Sequence, residues 1–253
     1  MSEFTLNAPK SNFAPTEPVP QDTHIGILVR MIDLGRQQTE YKGVVKWQPK
    51  LQFIFELPFF TKTFNEEKGP QPAWVFARYT FVISDGSNLR PFIENAIGRA
   101  LTKSEYNTFD VGQLLGKIFE VNVIHKPNPR GGVYENISSV KLITENRKAQ
   151  LNVDWSKVVA VNPIWGFSVD EAGECFKSER FGDFTDGFRN ILLSSEQGIA
   201  FTSSGGVPYT KPDLAGSAQP NSFVDNTNPL AKEKPLEKMP DDEDTLLDPN
   251  HFI

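Results

Sequence analysis

The stretch that most restricts the fold is Asn88 to Leu101, an amphipathic helix set between strand-like segments. Leu89, Phe92, Ile93, Ala96, Ile97 and Ala100 recur at steps of three and four, on one helical face, whereas Arg90, Glu94 and Arg99 fall elsewhere. Ser87 or Asn88 supplies a cap. Three strands are expected before the helix, at His24 to Leu34, Val44 to Leu57 and Trp74 to Ser84, and two after it, at Ile118 to Lys126 and Val133 to Ile143. This order is that of the OB-fold, a mainly β, five-stranded Greek-key barrel. In that fold the helix between strands 3 and 4 caps one open end, and the exposed strand face with its loops holds single-stranded nucleic acid.

Alternation assigns the faces. In the first strand Ile25, Ile27, Val29 and Met31 lie opposite His24, Leu28 and Arg30. In the second, Leu51, Phe53, Phe55 and Leu57 form the core face, with Lys50, Gln52, Ile54 and Glu56 behind them. Pro49 has no N–H for a ladder and marks a bulge or an edge. The third strand is largely apolar on both faces, as a central strand or one with an exposed aromatic face would be. The polar segment RQQTEYKG reads as a loop between the first two strands, and Thr61 to Pro72 as a long connector. TKSE at 102–105 has the capping-box pattern, Asp110 can cap a short turn, and PNPRGG turns the last hairpin.

The ends differ from the middle. Residues 1–22, with four prolines, read as an extended arm. Residues 23–202 are expected to form the OB domain, with 149–202 an extension too small to fold alone and expected to pack back on the barrel; Asp183 to Ser194 can form a short helix within it. From Ser203 onward glycine, proline, serine and asparagine dominate, which predicts a disordered linker and acidic tail over 203–253. The net charge of -6 is segregated: -2 over residues 1–22, +5 over 23–148, -4 over 149–202 and -5 over 203–253. A basic domain with acidic appendages fits a polyanion binder whose own tail competes for the site, and it fits as well a soluble protein with an acidic disordered end.

Binding single strands without sequence preference needs cations spaced along a backbone and flat side chains on which bases stack. Arg30, Arg36, Lys42, Lys46, Trp47 and Lys50 supply these on the first two strands and the segment between them, and Phe76 and Arg78 on the third. Lys126, Arg130 and Tyr134 cluster at the last hairpin. These residues are expected to line one groove. The tail is a second constellation: Asp241, Asp242, Glu243 and Asp244, then Phe252 and Ile253 at the end. Carboxylates steer such a segment to a basic rim while terminal hydrophobes fill a pocket. A flexible linker of this length spans roughly 33 Å, enough to reach the domain's own groove or a partner.

Enzyme signatures are absent from the sequence. His24, His125 and His251 have no metal-ligand spacing, no phosphate-cradling glycine loop occurs, and Cys175 has no activating neighbour. The expectation is a non-catalytic protein without metal or cofactor. No apolar run approaches the roughly 20 residues of a membrane helix, and MSEFTLNAPK lacks the pattern of a secretory signal, which places the protein in the cytoplasm.

The stretches HIGILVRMIDLGRQQTEYKG, LQFIFELP, SNLRPFIENAIGRALT, FDVGQLLGKIFEVNVIHKPNPRGGVYENISSV and NPIWGFSVDE resemble, in order and spacing, the single-stranded DNA-binding proteins of bacteriophages. The resemblance covers about residues 23–171, with the tail as a weaker match and 183–196 a loose one. It implies an OB barrel that coats single-stranded DNA during phage replication or recombination, in the host cytoplasm, with a tail that recruits replication or recombination proteins. It carries no residue-level binding signature. Two other readings fit the same sequence: an OB interaction module that binds protein and no nucleic acid, and a strand-annealing recombination protein that assembles as a homo-oligomer.

Overall fold

A computed structural model describes residues 17–63, 69–128 and 132–211. β1 (Asp22–Tyr41), β2 (Val44–Lys62) and β3 (Gln71–Thr80) form an antiparallel meander, and α1 (Leu89–Ile97) follows. β4 (Ile118–Pro127) and β5 (Val133–Leu142) form a hairpin whose first strand pairs with the start of β1. The hydrogen-bonded order is β3-β2-β1-β4-β5. The sheet curls until its two ends, β3 and β5, approach within 8 Å, and no ladder joins them among the described residues. Leu51, Phe53, Phe55 and Leu57 do share the inner face, packed with Val75, Ala77, Phe119, Val121 and the buried stripe of α1: Leu89, Phe92, Ile93 and Ala96.

The helix is shorter than its periodicity suggests. Gly98 takes the left-handed conformation at φ 73° and its N–H donates to the Glu94 carbonyl, so Ala100 lies beyond the helix. Two strands also depart from expectation. A bulge at Val29 inserts one residue into β1, so Leu28 and Met31 face inward while Ile27, Arg30 and Ile32 face outward. The segment RQQTEYKG is strand rather than loop: β1 and β2 continue as a two-stranded ribbon to a turn at Lys42 and Gly43. Both turn residues have positive φ, 50° and 74°, as a hairpin turn whose twist matches its strands requires.

After β5 come α2 (Glu145–Gln150), a three-residue strand β6 (Trp165–Phe167) parallel to β1, and the short helices α3 (Glu179–Gly182), α4 (Asp186–Leu193) and α5 (Glu196–Ser203). Their aromatic residues build a second core on the outer side of β1 and β2. There Trp165, Phe167, Phe176, Phe181, Phe184, Phe188 and Phe201 cover Ile27, Val29, Ile32, Leu34 and Ile54. Order continues beyond residue 202: the Tyr209 N–H donates to the Phe176 carbonyl at 2.8 Å. At the other end the arm is anchored from Val19, which is fully buried and donates its N–H to Glu135 at 2.9 Å. No helix among the described residues is long and apolar enough to cross a membrane.

Candidate nucleic-acid interface

The polar face of β2 has a repeat visible in the sequence itself. In KWQPKLQ, Lys46, Gln48, Lys50 and Gln52 alternate with Trp47, Pro49 and Leu51, and strand geometry places each set on its own face. Across the ladder, Lys50 pairs with Thr80, Gln52 with Arg78 and Ile54 with Phe76. The Lys50 ammonium donates to Gln48 Oε1 at 3.1 Å and Thr80 Oγ1 at 3.0 Å, both neutral acceptors. Arg78 donates through Nε and Nη2 to Gln52 Oε1 at 3.0 and 2.7 Å. The glutamines therefore set two cations side by side. Burial, reinforced by the Arg78 charge, pulls the Lys50 pKa down to about 8.

On the hairpin from β4 to β5, Lys126 lies opposite Tyr134. Lys126 and Arg78 both line one cavity of about 290 Å³ between β3, the β4–β5 hairpin and α1. Thus Lys46, Lys50 and Arg78 share the outer face of β2 and β3 with Phe76, which is half-buried against the second core, and Lys126 extends the cationic strip.

Other expected contacts lie elsewhere. Trp47 occupies the opposite face of the ribbon from Lys46 and Lys50, opposite Gln38 on β1, and is 39% exposed. Lys42 is exposed at the ribbon's tip. Arg30 is enclosed by the second core, its guanidinium 4.4 Å from the Trp74 ring centroid and 4.7 Å from that of Trp165. Burial lowers its pKa to about 10. Arg36 is held by the C-terminal extension: Nη1 and Nη2 donate to the two Glu171 oxygens at 2.5 and 2.9 Å, and Nε donates to Glu196. Neither arginine lies on the strip. Arg130 and the tail residues Asp241, Asp242, Glu243, Asp244, Phe252 and Ile253 lie outside the described residues.

No protein-family model matches the chain, and no curated protein or solved structure does.

The remaining chemistry-bearing groups have structural partners. His24 and His125 bond the carbonyls of Pro20 and Val19, fastening the arm. Cys175 is half-buried, and burial pushes its thiol up to about 12, which keeps it protonated. Among the described residues no three metal-ligating side chains come together. Glu56, which alternation puts on the outer face of β2, is fully buried there and accepts N–H groups from Val161 at 2.6 Å and Asn162 at 3.0 Å, and the Asn162 amide at 2.6 Å.

Proposed function

We propose that the chain is an OB-fold protein that binds single-stranded DNA with little sequence preference. The supporting observation is the strip on one outer face: Lys46, Lys50 and Arg78, with the half-buried Phe76 at its edge, continued by Lys126 beside Tyr134. Cations at intervals along a sheet face, with rings beside them, suit a flexible polyanion whose bases are free to stack. The strand order β3-β2-β1-β4-β5 with its ends brought together, and a helix between β3 and β4, supports the fold reading. On this reading the protein is a non-catalytic cytoplasmic factor that protects single strands in phage replication or recombination. Its acidic tail competes for the strip and recruits replication or recombination proteins.

The test is fluorescence anisotropy with a labelled dT oligonucleotide, the corresponding RNA and a duplex. The expected result is at least about tenfold preference for the DNA single strand over duplex, since a duplex offers no unstacked bases. A version ending at Lys211, which keeps every described residue, is expected to bind more tightly than the full chain. Equal affinity for duplex, or no binding, overturns the proposal.

A pH effect follows from Lys50. Its folded pKa, about 8, lies below the usual lysine value. The ammonium is therefore present below that pH and lost as pH rises through it, so affinity for dT is expected to be level near neutrality and to fall from about pH 8 to 9. Stability moves the other way: above pH 8 the unfolded chain holds this proton more tightly than the folded one, so this group makes folding more favourable as pH rises. Replacing Lys50 with arginine is expected to remove the fall in affinity, read by the same titration at each pH.

A further inference from the structure

The cavity beside the strip has a construction of its own. β3 and β5 terminate the hydrogen-bonded order, so residues 77–79 and 136–139 present strand edges to the space between them. A bulge at Ser138 offsets β5 at this point, with Asn122 paired to Ser139 and Val123 to Ile137. Such irregularity interrupts pairing and re-aims side chains. Phe92 of α1 closes the bottom, and it is braced against Phe53 at 5.0 Å and Tyr79 at 4.7 Å between ring centroids. Asn88, Asn95, Ser138, Arg78 and Lys126 contribute its polar lining, and Asn95 and Ser138 are exposed.

We infer that this cavity receives one nucleotide turned out of the bound strand, its base lodged between the β3 and β5 edges and its phosphate held by Arg78 and Lys126. This rests on the single-strand-binding reading and gives it a site of defined size. About 290 Å³ falls at the lower limit of small-molecule sites, about 300 to 1,000 Å³, which suits one nucleotide and excludes a stack of several. A base is flat, apolar on its faces and polar on its rim. The cavity matches it with a ring and aliphatic side chains below, and carboxamides with strand-edge backbone groups at the sides. Arg78 belongs to both the strip and the cavity wall, so a strand lying along β2 and β3 passes the opening.

The experiment uses the full chain with two labelled strands of equal length, dT and a fully abasic analogue. Asn95→Trp plugs the opening from α1, and Ser138→Trp plugs it from β5; both positions are exposed, so neither substitution disturbs the core. The wild type is expected to prefer dT, and each variant to lose about tenfold on dT but less than about twofold on the abasic strand. Unchanged dT affinity in both variants, or equal losses on the two strands, overturns the cavity assignment while leaving strand binding intact. Failure of the wild type to bind dT at all overturns the proposed function itself, and the cavity assignment with it.

Discussion

Changing both Lys50 and Arg78 to glutamate is expected to reduce affinity for a dT oligonucleotide by at least about a hundredfold at low salt, with the fold preserved. Phosphate contacts supply most of the affinity of a sequence-tolerant binder, and each cation that displaces a counterion from a single strand adds about 0.7 to the slope of log affinity against log salt. Lys46, Lys50, Arg78 and Lys126 together give a slope near -2.8 by this rule. Losing two of them should flatten it by about 1.4, and reversing their sign adds repulsion. Anisotropy at several salt concentrations reads both quantities. The informative control is Arg36→Ala, which removes one positive charge from a guanidinium bound to Glu171 and Glu196, so the slope should not change. A thermal melt and the milder pair Lys50→Gln and Arg78→Gln separate lost binding from lost structure. A slope unaltered by the double reversal would exclude this strip as the phosphate track.

That control also marks where sequence reasoning reached its limit. Arg30 and Arg36 count as surface cations in a linear reading, yet their surroundings are assembled from residues far along the chain. Arg36 meets Glu171 and Glu196 at separations of 135 and 160 positions. Spacing carries no trace of such partners. By contrast, the inner face of β2 was legible because Leu51, Phe53, Phe55 and Leu57 obey a strict period of two, and α1 because its apolar stripe obeys helical spacing. The bulge at Val29 was hidden because an extra residue within a continuous apolar run leaves every position plausible on either face. The ribbon around Lys42 reads as a loop because RQQTEYKG is almost wholly polar, so no apolar alternation marks it as strand. Of the candidate site, Lys46, Lys50, Arg78 and Lys126 are named by the sequence as candidate cations, but clustering put Trp47 with them where strand alternation sets it on the other face, and the cavity depends on two strand ends meeting across the sheet.

The C-terminal extension is where the largest loss of stability is expected. Phe184 touches four aromatic residues, with ring centroids at 5.3 Å for Trp165, 5.1 Å for Phe167, 6.5 Å for Phe181 and 4.9 Å for Phe188. Phe184→Ala removes the centre of that cluster and should lower unfolding free energy by about 3 to 5 kcal/mol, read by denaturant titration. Glu56→Gln acts on the same junction from the sheet side. It replaces an acceptor of three N–H bonds by an amide that turns donors toward donors, with a cost of about 1 to 3 kcal/mol. The inner core around Phe53 and Phe119 shares no member with the outer one, so hydrogen exchange in Phe184→Ala should rise first over residues 165–209 while β2 and β4 stay protected. Lys50, Arg78 and Lys126 belong to the sheet, so dT binding should persist where the extension already exchanges. Uniform exchange across both cores would mean instead that extension and sheet open as one cooperative unit.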